Sequence, residues 1–245
     1  MRSTVILICA AVLAVSGCTA KKATRSASPA TTSATQPAGL DGCVQPGSAD
    51  LVDVGGGVQA AVLGTGPVGV VLSNQSDQNL CGWLPFAKTL AARGFRVLVY
   101  DYGTAADPAG DVVNAAAKLR ELGVRTVLLA GASRGANASL IAAPGITPPV
   151  AAVVTLSAER AMLGQDVLPF VAKLKAPVLF ITAKDDRYGA ADAAPQFYKA
   201  ATKASSRRLE VLPGDAHGTA LLVGPNGAKV RATIIDFLSK HDQAS

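Results

Sequence analysis

The chain has 245 residues, 49% of them hydrophobic, 16% charged and 4% aromatic, with a formal net charge of +6. That length and apolar share fit one domain with a sizeable core and exclude a disordered chain. Much of the excess charge sits in Lys21, Lys22 and Arg25 near the amino end and at scattered positions such as Arg207 and Arg208, with no basic stripe interleaved with aromatics, so nucleic-acid binding is not expected.

In chain order, the first segment is a targeting signal. Arg2 gives a positive start, and Val5 to Val15 is an apolar run too short for a comfortable membrane span. Val15-Ser16-Gly17-Cys18 resembles a bacterial lipobox. In such signals cleavage precedes the cysteine, whose sulfur carries a diacylglyceryl group. Residues 1–17 are therefore expected to be a lipoprotein signal peptide, with Cys18 lipidated and the protein anchored to the outer face of the cell membrane. An ordinary secretory signal with an incidental cysteine is the alternative. Residues 18–41, rich in Ala, Ser, Thr, Pro and Lys, read as a flexible tether, and residues 42–245 as the folded domain.

Cys43 and Cys81 remain after the signal and the lipid site are set aside. In an oxidising compartment they can form a disulfide, the alternative being two unpaired thiols. Val58 to Leu63 and Val68 to Ser73 read as strands separated by the turn Gly64-Thr65-Gly66-Pro67. A helix is expected over Leu80 to Arg93, a strand over Phe95 to Tyr100, a helix over Asp111 to Leu122 and a strand over Arg125 to Ala130. Strands follow over Val150 to Leu156 and Pro177 to Ala183, then a helix over Ala193 to Lys203, a strand over Arg208 to Leu212 and a closing helix over Ala228 to His241. Near-continuous Val/Leu/Ile strands alternating with helices predict an α/β fold, with a mostly parallel central sheet flanked by helices on both faces. Gly55-Gly56-Gly57 and Gly64-Thr65-Gly66 are turns rather than dinucleotide fingerprints, because no helix starts at the needed spacing.

Within that alternation, Gly131-Ala132-Ser133-Arg134-Gly135 has the form G-x-S-x-G between an apolar strand and a stretch that can start a helix, as a nucleophile elbow requires. A serine hydroxyl is a poor nucleophile at neutral pH and needs a base, which in turn needs an orienting acid. Of the two histidines, His241 lies in the terminal tail. His217 follows the last strand between Gly214 and Gly218, free to reach over the sheet edge. Asp185 and Asp186 both follow the strand ending at Ala183 and are the candidate acids.

The order Ser, Asp, His on this alternation resembles the α/β-hydrolase family. The segment Pro177 to Asp186 is similar to that family's strand followed by G-x-x-D, with Ala183 where glycine is common, and this alignment implies Asp186 as the acid. The resemblance covers roughly Leu51 to Leu238. It implies catalytic Ser133, Asp186 and His217, with oxyanion-hole amides from Arg134 and, by position, Gln75. Where the family's strand commonly ends in His-Gly, this one ends in Ser73-Asn74-Gln75. Ser76, Asp77 and Gln78 would line the mouth. The span between the strands ending at Leu156 and starting at Val178 has room for about one helix, so no large cap domain is expected, as in dienelactone-hydrolase-like and small esterase branches. The implied activity is hydrolysis of a small-molecule or polymer-borne carboxylic ester through an acyl-enzyme, without cofactor or metal. Acyl transfer or peptide cleavage by the same triad is an alternative, as is a non-catalytic binding lipoprotein on the same fold.

Overall fold

In the computed structural model the residues described are 40, 42–103 and 107–242. The expected signal at 1–17, the Cys18 lipid site and all of the tether but Leu40 lie outside them. Among the described residues no helix is long and apolar enough to cross a membrane.

The strands are β1 (Asp50–Gly55), β2 (Val58–Leu63), β3 (Val68–Ser73), β4 (Arg96–Tyr100), β5 (Thr126–Ala132), β6 (Ala152–Leu156), β7 (Ala161–Met162), β8 (Gln165–Asp166), β9 (Val178–Ala183) and β10 (Arg207–Leu212). The helices are α1 (Leu84–Ala91), α2 (Pro108–Glu121), α3 (Arg134–Ala142), α4 (Leu168–Val171), α5 (Ala190–Ala200) and α6 (Gly227–Lys240). Eight strands form one sheet in the order β1-β2-β4-β3-β5-β6-β9-β10. Strand β2 runs antiparallel to both its neighbours, and every other pair is parallel.

Alternation along the central strands sends side chains to two separate cores. Val71, Leu98, Leu129 and Phe180 face one, closed by Val112 and Leu119 of α2, Leu140 of α3 and Phe197 of α5. Val70, Leu72, Val99, Leu128 and Leu179 face the other, closed by Phe86 and Leu90 of α1 and by Ile234 and Leu238 of α6. This is the expected sheet with helices on both faces. Leu40, which the sequence places in the tether, is fully buried in the second core. The packed domain therefore includes it.

Several boundaries differ from expectation for local reasons. The helix expected over Leu80 to Arg93 is a 3-10 turn, Leu80–Gly82, followed by α1 with Pro85 in its first turn. Pro85 has no N–H for a carbonyl one turn back, so a continuous helix through it would lose a bond. Helix α2 starts earlier than expected because Asp107 caps it, accepting from the Gly110 N–H at 3.0 Å, and Pro108 suits its first position. Strand β1, which the sequence reading omits, buries only Val54 and carries two aspartates at the sheet edge. The span between β6 and β9 holds the two-residue hairpin β7–β8 and the short α4 rather than a cap domain. Cys43 and Cys81 form a disulfide (Cα–Cα 5.9 Å) that joins the amino-terminal arm to the 3-10 turn before α1.

Candidate active site

The carboxyl ends of the parallel strands deliver the site, where an open α/β sheet places its ligands. Strand β5 runs into a sharp turn at Ser133, whose backbone adopts φ 49° and ψ −114°, and α3 starts at the next residue. Steric crowding explains the flanking glycines. A Cβ on Gly131 would strike the Gly135 carbonyl, and one on Gly135 would strike the carbonyl of Ser73 at the end of β3. The strained serine backbone is held by the Ser133 N–H, which donates to Leu156 O (2.8 Å), and by Ser133 O, which accepts from the Asn137 N–H (3.0 Å).

His217 follows β10 and Asp186 follows β9. The His217 Nδ1 lies 3.0 and 2.9 Å from the two Asp186 carboxylate oxygens. The Asp186 side chain is fully buried and His217 is 13% exposed. Burial pushes the Asp186 carboxyl up, but hydrogen bonds from His217, the Tyr188 N–H and the Ser157 hydroxyl outweigh it and hold the group below the usual carboxylate range. Asp186 is thus an ionised acceptor for Nδ1–H, which leaves Nε2 as the ring nitrogen without that carboxylate. Asp185, the other candidate, is exposed and uses its N–H to hold the Gly214 carbonyl at 2.9 Å. Ser157 also accepts from the Gly218 N–H (3.0 Å), and the Tyr188 ring lies 4.3 Å from the imidazole.

On the nucleophile side, the Ser133 hydroxyl donates to Glu159 Oε1 at 3.0 Å. His217 Nε2 lies 3.9 Å from that same oxygen. The serine and the imidazole therefore flank one carboxylate that the sequence reading did not single out. Glu159 stands just beyond the end of β6, in a sheet whose strand ends form the site; that position is the signal that could have found it.

The predicted oxyanion donors differ from each other. The Arg134 N–H opens α3, where the first amides have no intrahelical acceptor. The Gln75 N–H is already engaged, donating to Asn74 Oδ1 at 2.9 Å. Asn74 is fixed in turn, its Nδ2 donating to Gln78 O (2.6 Å) and Asp101 Oδ1 (3.3 Å). The end of β3 beneath this loop is pinned through Ser73, whose Oγ accepts from Tyr100 (3.1 Å) and whose carbonyl accepts from Trp83 Nε1 (3.0 Å). The Gln75 side chain reaches the histidine loop, its Oε1 accepting from the Thr219 N–H (2.8 Å) and hydroxyl (3.0 Å). Of the mouth residues, Asp77 accepts from Gln75 Nε2 at 2.7 Å, Gln78 Oε1 accepts from the Thr219 hydroxyl at 3.1 Å, and Ser76 lines a small cavity beside Glu159. Among the described residues no group of three or more His, Cys, Asp and Glu side chains could hold a metal ion.

No family model and no curated protein matches the chain. Solved structures do match. Est1E from Butyrivibrio proteoclasticus aligns with a TM-score of 0.65 at 17% identity, over 79% of this chain and 98% of that one. A monoacylglycerol lipase of Paleococcus ferrophilus aligns at 0.65 and 15% identity, over 78% and 99%. A dienelactone hydrolase of Anabaena variabilis aligns at 0.64 and 21% identity, over 80% and 97%. With its mostly parallel sheet, two helical layers and strand-turn-helix at Ser133, the chain has the α/β-hydrolase fold.

Proposed function

We propose that this protein is a serine hydrolase that cleaves carboxylic esters. The observation that carries the reading is the buried Asp186 carboxylate on Nδ1 of an imidazole whose Nε2 faces the acceptor of the Ser133 hydroxyl. For attack, Ser133 exchanges Glu159 for His217 Nε2. The hydroxyl oxygen bonds to the ester carbonyl carbon as its proton passes to Nε2. Asp186 holds the ring's tautomer and stabilises its charged form. The Arg134 N–H receives the oxyanion, joined by the Gln75 N–H once Asn74 Oδ1 gives way. Collapse breaks the carbon–oxygen bond to the alcohol, which takes the proton from Nε2. Water, deprotonated by the same nitrogen, then releases the acid and restores the serine. The shared fold of an esterase-like site without a large cap supports an open, water-accessible reaction.

The lipobox-like Val15-Ser16-Gly17-Cys18 supports export and lipid anchoring at Cys18, which would put the site at the outer face of the cell membrane. The test is turnover of short-chain aryl esters together with labelling by a fluorophosphonate. Wild type is expected to turn over and be labelled on Ser133, and Ser133→Ala to do neither. Label elsewhere, or turnover unchanged in Ser133→Ala, refutes the role. A second reading, a binding lipoprotein that does no chemistry, draws on the two rival bonds, Ser133 to Glu159 and the Gln75 N–H to Asn74. Folded protein that takes no label would favour it.

A further inference from the structure

Glu159 only gives up the Ser133 hydroxyl in the hydrolytic steps above, yet its carboxylate stands at the reacting atoms. Its placement is built. Asn137, 2% exposed, lies one turn beyond Ser133 on the same helix. Its Oδ1 accepts from the Glu159 N–H (3.0 Å) and its Nδ2 donates to Ala161 O (3.2 Å), clamping the backbone on both sides of residue 160. The helix that carries the nucleophile thus also presents the carboxylate to it.

The charge of Glu159 has no fixed cation opposite it. Among the described residues no lysine or arginine pairs with Glu159. Arg160, next in the chain, is turned to Asp166 (2.7 and 2.9 Å) and Gln196 (2.6 Å). Arg134 shares the neighbouring cavity, but its guanidinium sits 5.3 Å over the Tyr102 ring. That cavity, about 150 Å³, is lined by Ser76, Asn137, Met162 and Leu163 beside Glu159, and has room for a small group. Asp77 adds a second carboxylate on the oxyanion loop. A carboxylate this close to the reacting atoms disfavours the negative charge that builds on the carbonyl oxygen; the imidazolium formed 3.9 Å away offsets part of this, and a positive charge on the substrate offsets more.

Resting on the ester-hydrolysis reading, we infer that Glu159 selects esters whose acyl group carries a protonated amine beside the scissile carbonyl, that is, aminoacyl esters. An α-ammonium nitrogen lies about 2.5 Å from its carbonyl carbon. It therefore falls within reach of a carboxylate oxygen 3.0 Å from the serine oxygen. The ammonium replaces the Ser133 hydroxyl on Glu159 Oε1 and so releases that hydroxyl to His217. The amino-acid side chain enters the small cavity. Bonds made and broken are those of the hydrolysis above, and the ammonium keeps its proton throughout.

The test compares the ethyl esters of alanine, N-acetylalanine and isobutyric acid at pH 7, each rate normalised to that ester's own hydroxide-catalysed rate. Wild type is expected to favour alanine over isobutyrate by about tenfold or more in kcat/KM, with N-acetylalanine grouped with isobutyrate. Glu159→Gln removes that preference, while Glu159→Asp, which keeps the charge, retains most of it. An equal preference in wild type and Glu159→Gln overturns the inference, as does loss in both variants, which would assign the effect to packing. Wild-type hydrolysis of isobutyrate with no ammonium preference overturns the inference and leaves the hydrolase reading standing. Turnover of none of the three esters, or equal turnover by Ser133→Ala, overturns the hydrolase reading and the inference with it.

Discussion

On the His217 side of the site, every polar group except Nε2 already has the partner that the hydrolase reading asks of it. Asp186 is buried on Nδ1, braced by the Tyr188 N–H and the Ser157 hydroxyl, and the Gly218 N–H is tied to Ser157. On the Ser133–Gln75 side the same kinds of group are bonded elsewhere, the hydroxyl to Glu159 and the amide to Asn74. The base side needs no rearrangement before reaction, whereas the nucleophile side must exchange two hydrogen bonds. Each exchange costs little if a substrate group takes up the released partner, and more if it is left bare. Under the hydrolase reading, the unliganded protein thus presents an oriented base and a nucleophile whose release depends on what binds.

The comparison can be broken most sharply at Ser133. Under the hydrolase reading, Ser133→Ala lowers kcat on an aryl ester by about 10⁴-fold or more, measured with fluorophosphonate-titrated wild type as the reference. Asp186→Asn should come next, with a loss of roughly 10³ to 10⁴-fold, because the amide favours the wrong imidazole tautomer. Asp185→Asn should stay within about twofold of wild type, and a large loss there would move the acid one residue. Replacing Cys43 and Cys81 together by serine opens a cross-link spanning 38 residues. The chain-entropy model puts that cost at about 4 kcal/mol, read from denaturant unfolding. Asn137→Ala leaves the Glu159 N–H without its buried acceptor, for about 1–3 kcal/mol by thermal unfolding. It should also weaken any discrimination that Glu159 exerts.

Acid titration sharpens the base side further. The Asp186 carboxyl is held below its ordinary value in the folded protein. Its contribution to stability is therefore fully present above the unfolded carboxyl value of about 3.9, and is lost as pH falls through the lower folded value. Asp186→Asn should flatten that acid limb in pH-dependent unfolding, and an unchanged limb would deny the carboxylate its stabilising role.

The elbow under Ser133 and the base side are legible in sequence because they rest on local order and steric need. Gly131 and Gly135 must be glycine where backbone meets backbone, so the elbow can be read from five letters. Asp186 follows β9, whose apolar run is plain, while His217 follows the charged edge strand β10 and stands out as one of only two histidines. Glu159 is not legible in this way. Its hydrogen bond to Ser133 spans 26 residues and depends on Asn137, which reads in sequence as an ordinary helix residue. Nor can letters reveal that the Asn74 side chain turns back onto the next amide, since a rotamer decides it. The fold shows the same division. The central strands stand out because both their faces are buried, whereas β1 hides because only Val54 goes inward and the sheet edge tolerates its aspartates. The β7–β8 hairpin, two residues a side, is too short to give a period.

The reach of Gln75 to Thr219 bears on how the molecule moves. The bridge spans 144 positions of chain and ends beside the imidazole, and Gly218 leaves no space there for even a methyl group against the Gln75 amide. The two arms of the cleft are thereby tied side chain to backbone, so that under the hydrolase reading a shift freeing the Gln75 amide for an incoming carbonyl would draw on the contact that also holds the loop of His217.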